Sequence, residues 1–202
     1  DYDAGNTFNV QKALQHIGLD AVLTADRDTI LAADGVILPG VGAYASAVSV
    51  LRERGLIEAI HEVVERNIPL LGICLGMQLL FEESEEYGPT LGLGLIPGKV
   101  KEIPRDLGLS VPHMGWNKNT VHHPDSAFSN VDNQYTYFVH SYYVDTDPEF
   151  ITSTANYGID VPGVVERGRV YGMQFHPEKS GVVGLNLLRT FGNITEAYAA
   201  VK

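Results

Sequence analysis

The sequence has little cysteine, few basic side chains and no long apolar run. Only one of its 202 residues is cysteine, which excludes an intrachain disulfide and a zinc cage built on cysteines. A chain without disulfides suits a reducing compartment, so we expect a cytoplasmic protein. We also expect no secretory leader, because Asp1-Tyr2-Asp3 lacks the charged-then-apolar pattern of one.

Two further shortages narrow the possible partners. The chain has 14 Lys and Arg against 25 Asp and Glu, which gives a net charge of −11. Because an acidic surface repels phosphate groups, we expect neither nucleic acid nor an anionic membrane surface as a partner. No apolar stretch approaches the ~20 residues that cross a bilayer, so we expect no membrane segment.

What the sequence does contain is enough for a sizeable core. Hydrophobic residues make up 45% and charged residues 19%, a composition typical of a globular protein rather than a disordered one. This length is ordinary for one domain, and no linker, repeat or low-complexity segment divides the chain. We therefore expect a single domain over residues 1–202.

Apolar segments alternate with amphipathic ones along the first half of the chain. Helical spacing predicts helices after Asn6, over 44–54 and over 56–66. Short apolar runs predict strands at Leu19–Thr24, Val36–Leu38 and Pro69–Ile73. Such strands between helices are buried on both faces, so we expect an α/β fold in three layers, with helices on both faces of a largely parallel central sheet. A fold of this kind normally has a strand before its first helix, so we expect either that this fold lacks the strand or that the sequence begins after it.

The second half reads mainly as strands joined by short turns. The predicted strands are Lys99–Ile103, Thr136–Val144, Val164–Arg167 and Val170–Phe175. Glu166–Arg169 is a plausible hairpin turn between the last two. Ser180 is a candidate cap for a final helix.

The sharpest chemical feature is the segment Gly72-Ile73-Cys74-Leu75-Gly76 between a strand and a helix. Glycines two residues either side of a cysteine allow the tight turn that lifts a nucleophile above the edge of a sheet. The helix N-terminus then favours a thiolate, and the Leu75 N–H is placed to stabilise an oxyanion. A lone cysteine is more often a small buried hydrophobe, but the two glycines and the strand–helix context favour the nucleophile.

A thiol nucleophile needs a base, and His176 is the best candidate among seven histidines. In His176-Pro177-Glu178, proline favours an extended backbone that holds the imidazole beside a carboxylate able to orient it. His140 is at most a pocket residue. His122 and His123 lack a third ligand, so we expect no metal site.

A third feature, Pro39-Gly40-Val41-Gly42, follows a buried strand. Its glycines allow a close backbone approach and the rotation of a peptide plane. This suits a second oxyanion donor beside Leu75, although the segment taken alone is better explained as a simple strand-to-helix turn.

Together these segments resemble the class I (triad) glutamine amidotransferases over nearly the whole chain and in the family order: PGVG, GICLGMQ, HSYY, QFHPEKS. The resemblance implies glutamine hydrolysis by Cys74, His176 and Glu178, with no metal or organic cofactor. It places the oxyanion hole at Val41, Gly42 and Leu75. It implies glutamine contacts at Gly40, Gln78, Ser141 and Tyr142.

Within that family, four segments are similar to the glutaminase subunits of imidazole glycerol phosphate synthases. They are Asp3-Ala4-Gly5-Asn6, Pro39-Gly40-Val41-Gly42, Met114-Gly115-Trp116-Asn117 and Lys179-Ser180. The resemblance implies a heterodimer with a (β/α)₈-barrel cyclase that consumes the ammonia, and an interface that includes Asn6, Trp116, Asn117 and Lys179. The alternatives are a glutaminase for anthranilate or pyridoxal phosphate synthesis and a non-catalytic module on the same fold.

Overall fold

The computed structural model describes residues 1–3 and 5–202, and within them it contains six helices and eleven strands. The helices are α1 Thr7–His16, α2 Arg27–Ala32, α3 Tyr44–Glu53, α4 Leu56–Glu65, α5 Leu75–Leu79 and α6 Gly181–Ala199. The strands are β1 Val36–Leu38, β2 Leu70–Ile73, β3 Glu83–Ser84, β4 Thr90–Leu91, β5 Lys99–Glu102, β6 His113–Val121, β7 Tyr135–His140, β8 Tyr142–Asp145, β9 Ile151–Asn156, β10 Asp160–Arg167 and β11 Val170–Met173.

Seven strands form the main sheet in the order β1-β2-β11-β10-β9-β6-β7. The pairs β1–β2 and β2–β11 are parallel, and the remaining pairs are antiparallel. The α/β fold is therefore confirmed, but the main sheet is mixed rather than largely parallel, because parallel pairing is confined to β1, β2 and β11 at one end of it. The second half returns as hairpins, which need no helical crossover.

Strand β2 shows why the sheet carries helices on both faces. All four of its residues are buried. Leu70 packs in a cluster with residues of α3 and α4, whereas Leu71 and Ile73 pack in a second cluster with residues of α1 and α6. Alternate side chains of a strand point to opposite faces, so a fully apolar strand requires an apolar layer on each side.

The sheet curls so that its far edge returns to the end of β11. The backbone N–H of His176 donates to the Tyr137 carbonyl in β7 at 2.9 Å. The N–H of Tyr137 donates in turn to the Ser180 hydroxyl at 3.0 Å. The curl brings the end of β7 and the segment after β11 to the same place above β2.

The prediction of one strand over Thr136–Val144 is wrong in one respect. The chain leaves the main sheet at Ser141, and β8 pairs with β5 in a smaller sheet of order β4-β3-β5-β8. The carbonyl of Ser141 accepts from Ile103 at 2.9 Å, which anchors the switch between sheets. No glycine or proline marks this break, so the apolar alternation continued through it without a local signal.

The predicted strand Leu19–Thr24 is also wrong. The segment makes no strand pairing among the described residues, and Val22 and Leu23 are exposed. A groove of about 770 Å³ separates it from β1. An apolar segment forms a strand only if a neighbouring strand is close enough for backbone hydrogen bonds. The groove keeps this segment away from β1, so that pairing does not form. No helix in the described part of the chain is long and apolar enough to cross a membrane.

Candidate active site

Cys74 occupies a strained turn between β2 and α5. Its φ of 55° and ψ of −113° lie outside the regions that non-glycine residues favour. Its glycine neighbours are required by space. A Cβ on Gly72 would lie 2.5 Å from the Gly76 carbonyl oxygen, and one on Gly76 would lie 1.8 Å from the Leu38 carbonyl oxygen. The tight turn expected from the sequence is therefore present, with the side chain of Cys74 reaching the pocket above the sheet.

His176 and Glu178 form a buried hydrogen-bonded pair. Nδ1 of His176 lies 2.8 Å from Oε1 of Glu178, and Oε2 of Glu178 has no partner among the described residues. His176 has the extended backbone that the sequence suggested, with a φ of −96° and a ψ of 100°, whereas Glu178 lies in the 3-10 turn Pro177–Lys179 that follows it. Proline at the first position of the turn fits its fixed φ, and the single turn still sets the carboxylate against the ring.

The electrostatics of this pair favour an imidazolium. Burial alone lowers the pKa of His176, but hydrogen bonds and charge interactions with Cys74 and Glu178 outweigh it and raise the pKa to about 9. At neutral pH the ring therefore holds both protons. An imidazolium beside a thiol sulfur supports an ion pair and supplies a proton to a leaving group.

The candidate oxyanion hole is closed in this structure. The N–H of Leu75 donates to the carbonyl oxygen of Gly40 at 3.2 Å. Because a trans peptide points its C=O and N–H in opposite directions, the N–H of Val41 faces away from the Leu75 N–H. Gly42 follows with a φ of +100°, which favours glycine. One donor is thus occupied and the other is turned away.

A pocket of about 300 Å³ opens onto the thiol. Nine residues expected in the site from the sequence line it: Val41, Gly42, Cys74, Leu75, Gln78, Ser141, Tyr142, His176 and Lys179. Gly40 is buried and does not line the pocket, and its carbonyl oxygen accepts from the Leu75 N–H. His140 lines the pocket, as the sequence allowed, and the sequence reasoning missed Glu86 and Val139.

A second group that the sequence reasoning missed is Gln174, which is fully buried. Its side-chain nitrogen donates to Cys74 Sγ at 3.8 Å, and its side-chain oxygen accepts from Gln78 Nε2 at 3.1 Å. The signal that could have revealed Gln174 is a polar residue in the otherwise apolar predicted strand Val170–Phe175, because a buried amide needs hydrogen-bond partners.

The four residues expected at a partner interface lie in different surroundings. Trp116 is 53% exposed on the outer face of β6. Asn117 points inward from the same strand, where it contacts His113 and the Asn156 carbonyl. Lys179 is exposed at the pocket rim, and Asn6 caps α1 without a side-chain hydrogen bond. Adjacent residues of a strand face opposite sides, so the structure separates Asn117 from Trp116.

No group of three or more potential metal ligands occurs in the part of the chain that the structure describes. The neighbouring histidines His122 and His123 have other partners. Nε2 of His122 lies 2.8 Å from the Thr154 hydroxyl, and Nε2 of His123 lies 3.0 Å from the Pro148 carbonyl.

Known proteins resemble this chain in sequence, and others resemble it in fold. A family model described as glutamine amidotransferase class-I matches residues 1–192. A protein of Lactiplantibacillus plantarum, named imidazole glycerol phosphate synthase subunit HisH, is 51% identical over 197 residues, which are 98% of this chain and 95% of that protein. The subunit HisH of Streptococcus gordonii is 54% identical over 190 residues, 94% of this chain and 92% of that protein.

Two solved structures show a similar fold at low identity. One, described as a glutamine amidotransferase, has a TM-score of 0.75 at 20% identity and covers 96% of this chain and 95% of its own. Another, described as PurLQS from Thermotoga maritima, has a TM-score of 0.67 at 18% identity and covers 96% of this chain and 95% of its own. These likenesses concern the fold alone.

The family model covers nearly the whole chain, and the strained turn at Cys74 supplies the nucleophile that such a family needs. Together they define the class of protein. The chain belongs to the class-I glutamine amidotransferases. Within that class it groups with the HisH subunits of imidazole glycerol phosphate synthase, at about half identity along nearly all of its length.

The raised pKa of His176 predicts how the rate of glutamine hydrolysis depends on pH. The ring is protonated below about 9, so a rate that needs its proton should fall as the pH rises through that value. In Glu178→Gln the carboxylate is gone and burial lowers the pKa, so the alkaline limb of kcat should move to lower pH. Because orientation of the ring is also lost, kcat should drop roughly 10²-fold. Steady-state kinetics from pH 6 to 10 measure both effects; an unmoved limb would show that Glu178 does not act on His176.

Proposed function

We propose that this chain hydrolyses L-glutamine to glutamate and ammonia and passes the ammonia to a cyclase subunit that makes imidazole glycerol phosphate in histidine biosynthesis. The observation that carries the proposal is a strained cysteine in a pocket beside an imidazolium. Residues 1–202 act as one glutaminase domain in the cytoplasm, and the chemistry needs neither a metal nor an organic cofactor.

Each triad residue has one role in two successive steps. Sγ of Cys74 attacks the side-chain amide carbon of glutamine, and the carbonyl electrons move onto the oxygen. His176 donates a proton to the departing ammonia, which leaves a γ-glutamyl thioester. The neutral imidazole then takes a proton from water as the water attacks the thioester, and the Cys74 sulfur leaves with the bonding electrons. Glu178 keeps the Nδ1 proton in place throughout.

The pocket offers complementary groups for the amino acid end of glutamine. Glu86 adds a carboxylate to the pocket wall, where it also accepts from the Tyr44 N–H at 2.7 Å. A carboxylate fixed in this way is suited to bind the α-ammonium group of glutamine. Gln78, Ser141 and Tyr142 provide further polar contacts, as the family resemblance implies.

The partner is a (β/α)₈-barrel cyclase in a heterodimer with this chain. The surface best suited to it is the outer β6–β7 face, which we define as Met114, Trp116, Tyr135, Tyr137 and Val139. Met114, Trp116 and Tyr135 are each more than half exposed. Large exposed apolar side chains next to a pocket are typical of an interface core. Lys179 lies at the pocket rim, where it supplies a cation to the partner.

The nucleophile is tested by separating the two sources of ammonia. Cys74→Ala, assayed with the cyclase partner, should lose glutamine-dependent synthesis completely, because no other thiol is present. Synthesis from added ammonium salt should stay at the wild-type rate, since that reaction bypasses the thioester. The ammonia arm is also the control for folding and assembly. Glutamine hydrolysis that survives in Cys74→Ala would remove the assignment.

The closed oxyanion hole predicts that the isolated chain is nearly idle. Rotation of the Gly40–Val41 peptide would free the Leu75 N–H and aim the Val41 N–H at the reacting carbonyl. A partner that binds the open state more tightly would shift the population toward it. A single missing oxyanion donor costs roughly 10²–10³ in kcat, so stimulation by the partner should appear mainly in kcat.

The best variant for this rotation is at Val41. A β-branched residue at Gly40 would restrict the rotation, but its Cβ would lie 2.8 Å from the Gly76 nitrogen, which confuses rotation with packing. Val41→Pro instead removes the donor, and should cut partner-stimulated kcat roughly 10²–10³-fold. Val41→Ala keeps the N–H and should be stimulated like wild type. An isolated chain as fast as the complex, or full stimulation of Val41→Pro, would contradict the mechanism.

The partner surface is tested at Trp116 and Lys179. Trp116→Ala should weaken association with the cyclase roughly 10-fold or more, because buried aromatics dominate interface energies. Lys179→Ala should reduce stimulation of glutamine hydrolysis. Lys202→Ala is the matched loss of a cation, because Nζ of Lys202 binds the Ala32 carbonyl at 2.7 Å rather than the pocket rim. Titration calorimetry and coupled assays measure both; if Trp116→Ala and Lys179→Ala match Lys202→Ala, the surface is placed wrongly.

A further inference from the structure

A buried chain of hydrogen bonds runs from β6 to the wall of the active-site pocket. His113 and His140 face each other across the β6–β7 ladder, with Nδ1 of His113 2.9 Å from Nε2 of His140. On the outer side, Nε2 of His113 lies 2.8 Å from Oδ1 of Asn117. On the inner side, Nδ1 of His140 lies 2.8 Å from the Tyr142 carbonyl. The mechanism above uses neither histidine.

Gly115 makes the outer contact possible. Residues four apart on a regular strand are separated by about 13 Å, which is too far for a hydrogen bond between side chains of this size. Gly115 has a φ of +140°, and it places no side chain between His113 and Asn117 on their shared face of β6. The His113 ring is further fixed by stacking on Phe138 and Tyr157, with ring centroids 4.9 and 3.8 Å away.

The inner end of the chain reaches the nucleophile. The Tyr142 carbonyl that accepts from His140 also accepts from Gln78 Nε2, at 2.9 Å. Gln78 Nε2 also donates to Gln174, whose amide nitrogen donates to Cys74 Sγ. The position of the Tyr142 carbonyl therefore affects the amide of Gln78 and, through Gln174, the surroundings of the thiol.

We propose that Asn117, His113 and His140 are positioning residues for glutamine hydrolysis, and that they act as an electrically neutral relay that holds the Tyr142 carbonyl and Gln78 at the pocket wall. This inference rests on the proposed glutaminase function. It assigns an inward role to Asn117, separate from the partner surface on the other side of β6.

The number of ring N–H protons determines which atom donates in each hydrogen bond of the relay. A carbonyl only accepts, so Nδ1 of His140 must carry a proton toward Tyr142. One further proton lies between the two rings, on Nδ1 of His113. If Asn117 presents Oδ1 to His113 and its amide nitrogen to the Asn156 carbonyl, Nε2 of His113 needs a proton as well. Two imidazoles with three protons carry one positive charge.

The surroundings of the pair oppose that charge. Burial lowers the pKa of His113, and burial together with the charges of His113 and His176 lowers the pKa of His140 to about 3, against a smaller opposite effect of its bond to Tyr142. The hydroxyl of Tyr157, stacked on His113, donates to the Ser110 carbonyl at 2.7 Å. No carboxylate contributes to the shift at either ring within the described residues. With His176 itself an imidazolium, the pair is neutral at pH 7.

In the neutral relay the amide of Asn117 is therefore turned so that its nitrogen donates to Nε2 of His113. Oδ1 then takes the place of the nitrogen next to the Asn156 carbonyl oxygen. Two acceptors repel each other at that distance, so they must move apart far enough for a water to bridge them, and Asn156 is exposed to water. The residue at position 117 must be a donor. An aspartate has the same shape but only accepts, so it forces the third proton onto the histidine pair.

The proton count is tested by nuclear magnetic resonance on the full chain with ¹⁵N-labelled histidine. At pH 7 the wild type should show His113 and His140 as neutral rings, each protonated at Nδ1. Asn117→Asp should convert the pair to a cation with a proton at His113 Nε2. Thr120→Asp adds the same charge on the exposed side of β6 and should match wild type. A cationic pair in wild type, or a neutral pair in Asn117→Asp, would overturn the relay.

The positioning role is tested by kinetics of the complex with the cyclase. His113→Phe keeps an aromatic ring for the stack but leaves Nε2 of His140 without a donor. We expect its KM for glutamine to rise roughly 3- to 10-fold with a smaller change in kcat, and ammonia-dependent synthesis to be unchanged. His113→Gln restores an N–H donor and should recover most of the loss.

The outcomes separate this inference from the proposed function. Wild-type kinetics in His113→Phe, or equal impairment of His113→Phe and His113→Gln, would reject the positioning role. A wild-type complex that does not hydrolyse glutamine would reject the proposed function, and with it the positioning role. The magnetic resonance result depends on no activity, so it decides the proton count in every case and does so even where His113→Phe fails to fold.

Discussion

The site depends on one backbone constraint, the close packing of the turn that carries Cys74. Gly76 lies so near the Leu38 carbonyl, and Gly72 so near the Gly76 carbonyl, that any side chain at either position would collide with backbone. This packing holds Cys74 at a positive φ, which costs about 1–3 kcal/mol. The surrounding parallel strands β1, β2 and β11 supply that energy because their apolar side chains are buried on both faces of the sheet.

The curl of the sheet explains how distant parts of the sequence meet at this turn. The hydrogen bond from His176 to Tyr137 joins the end of β11 to β7. It therefore sets the imidazole and the His140–Tyr142 segment around the Cys74 sulfur, which lies 3.9 Å from the Val139 carbonyl oxygen. The same closeness lets the Gly40 carbonyl occupy the Leu75 N–H. The triad side chains are therefore together, while the backbone N–H that would stabilise an oxyanion is occupied. This arrangement suits a glutaminase that should release ammonia only when a partner is present to use it.

Local patterns predicted the parts of the site that local chemistry determines. The glycines around Cys74, the proline after His176 and the apolar runs of β1 and β2 each carry a steric signal in a few residues. The break at Ser141, the unpaired segment Leu19–Thr24 and the strand β6 depend on which ladder partner is available, and a single sequence does not contain that information. Glu86 was missed for the same reason, since its role comes from neighbours far apart in the chain. Gln174 left a local signal, a polar residue in an apolar run, but its partners Cys74 and Gln78 lie on another segment.

If Cys74 is the nucleophile, it forms a covalent thioester with glutamine during turnover. Acid quenching of the complex while it turns over, followed by peptide mass spectrometry, detects this intermediate. We expect one γ-glutamyl group on the peptide that contains Cys74, labile to hydroxylamine and present only while glutamine is being consumed. Turnover at the full rate with no modified peptide at Cys74, or with the group on another residue, would contradict it.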